Sequence, residues 1–327
     1  MFKNMNKKLK LVLSVSIFLL LLLGVFYYLW AQQPGSDQKI NNPFDQSSHS
    51  SEGFGTNAAR VDSQITLNIP QGKAQEVYDY LRNTYVKSNE KLSQAFPELN
   101  LKGEQRDDIS IFTDDYFDTA SLDLYKNNNS ARHRLRINTT DPTDAKSGRE
   151  LVQIKVTPPG QFDTRTELKF QTQAIDQSSN DFNDRIAPIG FVASNQRTDF
   201  KNSFNAIKVD PYQLRHILTN TQKRSRVYLD WDGTNFFSFS VDEGSTNLLW
   251  AKANITSIDL GLVENVYTEA DSAKRKTLED IRNFLLQDLK EHFPELTENS
   301  LEKYVILLDE LAKQIPYLKF FIRIGLL

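Results

Sequence analysis

From residue 63 onward the chain repeatedly alternates apolar and polar positions. The first such stretch, SQITLNI at 63–69, sets Ile65, Leu67 and Ile69 against Gln64, Thr66 and Asn68. A period of two is that of a strand with one buried face. The alternation returns at 109–112, 131–138, 150–156, 164–170, 224–231, 235–241 and 254–262. Asp232 and Gly233 separate two of these segments, a dipeptide suited to the positive φ angles of a tight hairpin. Helical spacing takes over after Gly72, where Val77, Tyr80, Leu81 and Tyr85 recur, and again over about 271–291 and 298–315. The last of these carries Leu301, Tyr304, Val305, Leu308, Leu311 and Ile315 and is expected to cover the core. The expected class is α+β, an antiparallel β-rich core with helices packed outside it. No solenoid-length repeat is present.

A different pattern stands at the front. Residues 11–30, LVLSVSIFLLLLLGVFYYLW, hold no charge. At ~1.5 Å per residue such a run crosses a ~30 Å hydrocarbon layer. Lys3, Lys7, Lys8 and Lys10 precede it, and no Lys or Arg follows immediately, which predicts an N-terminus inside and the remainder outside. Phe26, Tyr27, Tyr28 and Trp30 fall where an aromatic belt would lie. A cleaved signal peptide is the competing reading, but its apolar region would exceed the usual ~7–15 residues. The expected organisation is a basic tip and membrane anchor at 1–31, a flexible Gln/Ser/Asn/Gly-rich linker at 32–62, a folded domain at 63–290 and a C-terminal helical extension at 291–327. The expected location is a single-pass membrane protein with its folded domain periplasmic or extracellular, in contact with the bilayer through the anchor. The closing YLKFFIRIGLL is too short and too charged for a second span.

Charge changes the picture less than its placement does. Lys and Arg number 39 against 42 Asp and Glu, a formal net charge of -3, so nothing polybasic points to nucleic acid and any anion site must be local. With no cysteine the chain has no disulfide, thiolate metal site or cysteine nucleophile. Four histidines leave little for a histidine-rich metal centre.

The local concentration is in the strands. ARHRLRIN puts Arg132, Arg134 and Arg136 on one face of 131–138, with His133, Leu135 and Ile137 on the other. In TRTELKF, Arg165, Glu167 and Lys169 share a face; in RELVQIKV, Gln153 and Lys155 do; KRSRVYLDW adds Arg224 and Arg226. In an open sheet each such face would meet water. If the sheet closes, the cations converge on an interior where only anionic charge makes them tolerable. A chain of phosphates meets that need, because guanidinium forks bind phosphate oxygens in pairs and ammonium groups add point charges. Carboxylates such as Glu167 would then serve as ligands for Mg2+ or Mn2+.

The block YFDTASLDLYKNNNSARHRLRIN at 116–138 resembles the signature of the triphosphate tunnel metalloenzymes, the CYTH superfamily. ELVQIKV, the Arg-x-Glu of TRTELKF, RSRVYLDW, SFSVDEG and SIDLGL follow in the order used there. Within the superfamily the stretch looks nearest the polyphosphate-polymerase type of the vacuolar transporter chaperone (VTC). The resemblance spans roughly 63–290 and implies an eight-stranded antiparallel tunnel or barrel that binds triphosphate or polyphosphate with a divalent metal, and hydrolyses or transfers it. It implies phosphate contacts from Arg132, Arg134, Arg136, Lys155, Arg165, Lys169, Arg224 and Arg226. It implies metal on Glu167, Asp242 and Asp259, with Glu167 and Asp242 as the catalytic carboxylates.

Two departures weigh against a simple transfer of activity. The hydrolase branch opens on Glu-x-Glu-x-Lys, whereas this chain has Gln64, Thr66 and Asn68, and Asp259 is followed by Gly261 in place of a second acid. Neutral groups hold a hard cation weakly. Three readings follow: a membrane-anchored metal-dependent phosphohydrolase, a non-catalytic polyanion receptor, and a polyphosphate polymerase, the last requiring a cytoplasmic domain. Elsewhere, His133 is expected to pack away from the arginines, His216 and His292 to lie in helices, and Asp114, Asp115 and Asp118 to cap and turn the chain near Tyr116.

Overall fold

The computed structural model describes residues 60–104, 109–138, 148–157, 164–173 and 187–326. The expected membrane anchor and most of the linker lie outside these residues. Among the described residues no helix is long and apolar enough to cross a membrane.

Among the described residues ten strands form one antiparallel sheet: β1 (Arg60–Asn68), β2 (Leu101–Glu104), β3 (Ser110–Asp118), β4 (Ser130–Asn138), β5 (Glu150–Val156), β6 (Thr164–Gln171), β7 (Arg215–Trp231), β8 (Thr234–Leu248), β9 (Ala251–Leu262) and β10 (Thr297–Asn299). Their order is β10-β1-β6-β5-β4-β3-β7-β8-β9, with β2 added to β7 and a further pairing of β1 with β9. β1 divides its backbone between neighbours. Arg60–Ser63 pair with β6, Gln64–Asn68 with β9, and Thr66–Asn68 also with β10. The expected antiparallel α+β architecture is present, but in place of an eight-stranded tunnel or barrel the sheet has ten strands, with β1 paired along one part of its length to β6 and along another to β9. β2 and β10 are the unforeseen strands, too short for alternation to reveal.

Other boundaries shift for local reasons. β1 begins at Arg60, inside the segment read as linker. β3 continues through Asp114 and Asp115, which lie in mid-strand and do not turn the chain. Asp118 does cap, its carboxylate accepting from the backbone N–H groups of Thr119, Leu124 and Tyr125. His216 lies on β7, not in a helix. The β7–β8 hairpin turns at Asp232 (φ 51°) and Gly233 (φ 85°), as their type requires.

The helices are α1 (Ala74–Leu81), which continues as a π-helical turn (Arg82–Ser88), α2 (Glu90–Ala95), α3 (Asp123–Lys126), α4 (Arg197–Ala206), α5 (Glu264–Glu269), α6 (Ser272–His292), α7 (Lys303–Gln314) and α8 (Leu318–Arg323). Val77, Leu81 and Tyr85 are buried as their spacing predicts. They join Leu278, Ile281, Leu285 and Leu289 of α6 over Val227, Phe237, Phe239, Val241, Ile258 and Leu260 of β7–β9. α4 sends Phe200 and Phe204 onto Val152, Ile154 and Phe170 of β5 and β6. The final long helix starts at Lys303, later than expected, because Thr297–Asn299 are taken by β10, and Leu301 is left exposed.

The apolar phase of these strands therefore faces helices, and the opposite phase is polar. α7 meets the sheet on that second phase, where β9 reads Ala251, Ala253, Ile255 and then Ser257, Asp259. The first three pack with Tyr304, Val305, Leu308 and Leu311 of α7. The polar pair begins where the helix starts, at Lys303.

Candidate functional site

Register fixes the partners on the polar face. Asp114 of β3 stands opposite Arg134 of β4, Lys155 of β5 opposite Glu167 of β6, Arg224 of β7 opposite Asp242 of β8, and Thr66 of β1 opposite Asp259 of β9. Facing residues on neighbouring strands lie about 4.5–5.5 Å apart at Cβ, so each carboxylate meets a cation or hydroxyl without reaching. Arg134 donates through Nε and, at 2.6 Å, through Nη2 to Asp114. Arg132 donates to the same carboxylate at 3.3 Å and to Gln153 through Nε at 2.7 Å. Arg224 makes a two-pronged contact with Asp242, both arms at 2.5 Å. Glu167 lies 3.7 Å from Lys155 and 2.6 Å from Lys169, which also reaches Glu264 of α5 at 3.2 Å.

These charges are out of water. Asp114 and Asp242 expose nothing, and Arg132, Arg134, Lys155, Glu167 and Asp259 are also buried. Burial pushes the carboxyl groups of Asp114, Glu167 and Asp242 upward, but the adjoining cations outweigh it and hold all three below the usual carboxylate range. Helices reach this side as well, Lys303 of α7 lying on Asp242 and Asp259 and Glu264 of α5 on Lys169.

Four of the cations gather around one ring. Phe112 of β3 has four guanidinium carbons about its centroid: Arg134 at 4.4 Å, Arg224 at 5.4 Å, Arg226 at 5.9 Å and Arg136 at 6.0 Å. The π face offers each some attraction, about 0.5–2 kcal/mol. Arg136 donates to the Ser110 hydroxyl at 3.0 Å, and Arg226 to that of Ser240 at 3.4 Å. The Arg226 guanidinium is held below its ordinary pKa, first by burial and then by Arg224, with Arg136 adding to the repulsion. Close by, Asn220 and Gln222 of β7 and Ser257 of β9 are fully buried, with side-chain polar atoms that have no hydrogen-bond partner among the described residues.

The structure thus brings Arg132, Arg134, Arg136, Arg224 and Arg226 together on β4 and β7, with Lys155, Lys169 and Glu167 on the flanking β5 and β6. Asp242 and Asp259 lie on the other side of Arg224. Arg165 pairs through its backbone with Asp62 of β1; its side chain lies outside the described residues.

The divalent metal implied by the resemblance does not fit the donors as they stand. Among the described residues no three His, Asp or Glu side chains are grouped to hold an ion. Glu167 is engaged by two lysines, and Asp242 and Asp259 by Arg224 and a third lysine that alternation did not reveal. This is Lys303, at the start of α7, whose Nζ contacts Asp242 and lies 3.2 Å from Asp259. Phe112 and Asp114 were also missed as site residues. Their even-numbered phase with Ser110 and Tyr116 is legible in the alternation at 109–112, but nothing in that pattern marks the phase as part of a charged site.

His133 faces away from the arginines, as expected. Its ring stacks on Phe191 at 4.5 Å between centroids, with Asp115 and Glu150 on either side at 3.8 and 3.2 Å. Burial opposes its charge, but the two carboxylates prevail and raise its pKa from 6.5 to about 9. A folded-state pKa above the unfolded one stabilises fully below pH 6.5 and is lost as pH rises through about 9. Urea denaturation at pH 6.5 and pH 10 should show wild type losing about 1 kcal/mol more than His133→Gln, a modest figure because Glu150 is half exposed. Equal losses would remove His133 from the pH response.

No family model and no curated protein matches this chain. Solved structures do show similarity. A Pyrococcus horikoshii protein aligns at 13% identity and TM-score 0.42 over 76% of this chain and 98% of its own. A candidate adenylyl cyclase from Hippeastrum, described as having a dominant triphosphatase activity, aligns at 15% and 0.40 over 76% and 95%. An RNA triphosphatase from S. pombe aligns at 10% and 0.29 over 70% and 84%. These are similarities of chain path at low identity, and none assigns an activity to this chain.

Proposed function

We propose that this protein is a receptor for inorganic triphosphate or polyphosphate, taken up on the enclosed cationic face of the sheet. The observation that carries the reading is the set of four guanidinium groups around Phe112. Like charges crowded in a medium of low dielectric repel strongly, and an anion with many oxygens relieves that cost. A linear phosphate chain offers charge at every unit and matches donors spread over β4, β5, β6 and β7, whereas a single phosphate meets only one pair. Asn220, Gln222 and Ser257 add neutral donors beside the cations. The resemblance of 116–138 to the tunnel-metalloenzyme signature points to the same ligand.

Binding is favoured over hydrolysis because Glu167 and Asp242, the expected metal ligands, already serve as counter-charges to lysine and arginine. The sequence further supports display of this face outside the cytoplasm on an anchor at residues 11–30, which protease protection in intact cells tests. The decisive assay is calorimetry of tripolyphosphate and long-chain polyphosphate on the purified full chain. Affinity should fall steeply with added salt, since screening shortens to about 8 Å at physiological ionic strength, and should be unchanged by a chelator. Orthophosphate release dependent on Mg2+ or Mn2+ would restore the hydrolase reading, and absence of binding to either ligand would end the receptor reading.

A further inference from the structure

Asp242 and Asp259 share two nitrogen donors. Nη2 of Arg224 lies 2.5 Å from Asp242 and 3.4 Å from Asp259, and Nζ of Lys303 contacts the first and lies 3.2 Å from the second. Thr66 donates from Oγ1 to Asp259 at 2.8 Å. The carboxylates of two strands and a hydroxyl of a third are thus gathered at one point. These are hard oxygen ligands of the kind Mg2+ or Mn2+ takes, with one or two carboxylates and the remaining positions filled by water or phosphate.

Lys303 is not a surface lysine folded inward. Its neighbours fix it: Tyr304 is fully buried, stacks on Tyr116 at 5.4 Å and donates to Asp118 at 3.0 Å. Glu302 is buried and accepts from Ser130 at 3.1 Å. The first turn of α7 is therefore anchored to β3 and β4 while its lysine reaches β8 and β9. Two carboxylates then face one guanidinium and one ammonium, a locally neutral group. Without the ammonium the same group carries one uncompensated negative charge, buried.

We infer that Lys303 is the resident cation of a latent divalent-metal site formed by Asp242, Asp259 and Thr66, and that its ammonium keeps metal out. The inference deepens the receptor reading, on which it rests for the purpose of the site: a fixed cation supplied by the chain lets the neighbouring arginines hold phosphate without a dissociable metal. Its chemistry is tested without phosphate.

Mn2+ binding to the purified full chain is followed by the electron paramagnetic resonance signal of the free ion. Wild type should bind no Mn2+ at this pair. Lys303→Gln should bind one Mn2+ about ten-fold or more tightly than any wild-type binding, by the removal of a like charge within contact distance, and Lys303→Gln with Asp259→Asn should lose that gain. Equal Mn2+ affinity in wild type and Lys303→Gln, or a gain that survives Asp259→Asn, overturns the inference. Should Lys303→Gln not fold, reductive methylation of wild type read by mass spectrometry serves in its place. Lys303 should label slowly, and millimolar Mn2+ should not change its rate; acceleration by Mn2+ would show the metal displacing the ammonium and overturn the inference. Loss of the receptor reading would appear instead as absent triphosphate binding to wild type, leaving the Mn2+ result intact.

Discussion

Asp114→Asn lowers the unfolding free energy by about 3–5 kcal/mol, read by urea denaturation of the full chain. The Asp114 carboxylate exposes no surface and accepts from Arg134 and Arg132. Asparagine keeps the shape and removes the charge, so two guanidinium groups stay buried with their counter-charge gone. Breaking a buried pair from one side costs far more than the pair contributes net, because the stranded ion keeps its desolvation penalty. The same pairing shapes the acid limb. Burial alone would raise the Asp114 pKa, but the arginines hold it below the ordinary 3.8. The stabilisation is therefore complete above pH 3.8 and drains away as pH falls through the lower folded value. Asp114→Asn should lose less stability over that range than wild type does, the remaining loss arising because Glu167 and Asp242, held low in the same way, still titrate there. Triphosphate should restore more stability to Asp114→Asn than to wild type, since a ligand that binds only the native state stabilises it by mass action and here replaces a lost anion. A loss below about 1 kcal/mol, the range of exposed pairs, would mean that water reaches these arginines.

The strands that bear this chemistry were legible because period-two alternation is a local property. The segment at 150–156 coincides with β5, and 164–170 falls within β6. The arginines of 131–138 and the pairs at 165–169 and 224–226 announced a cationic face by the same rule. What alternation does not carry is register. Whether Asp114 meets Arg134, or Asp242 meets Arg224, depends on which residues stand opposite across a ladder, and a shift of one position would reverse every face. The reading of Asp242 and Asp259 as metal ligands could not include the cations beside them for that reason: their neighbours depend on register. Lys303 was less visible still. It arrives from α7, 44 residues beyond Asp259 in sequence, and nothing in KYVILLDELAKQ distinguishes a lysine turned onto a sheet from one turned to solvent. Phe112 was hidden by its type, because a phenylalanine in an alternating strand reads as core even when its neighbours are guanidinium groups.

Arg226 separates binding from stability, and its replacement should move the two in opposite directions. Most residues of the polar face hold up the fold and serve the ligand at once, so their loss confounds both effects; Asp114 is the extreme case. Arg226 differs because its charge is opposed by Arg224 and Arg136, and burial and that repulsion together lower its pKa. A group whose charged form is disfavoured in the folded state costs stability by carrying its charge there. Arg226→Gln keeps a donor within reach of Ser240, relieves the repulsion and should leave the unfolding midpoint unchanged or raised. Triphosphate affinity should fall about 10–100-fold, the worth of one or two charge-assisted hydrogen bonds of about 1.5–3 kcal/mol each. The slope of log affinity against log salt should also become shallower, because one fewer cation takes part in the exchange of counter-ions. Calorimetry at several salt concentrations and thermal unfolding of the same preparation check both halves. A variant that loses stability while binding triphosphate as wild type does would show that Arg226 belongs to the internal charge balance of the sheet and not to the triphosphate site.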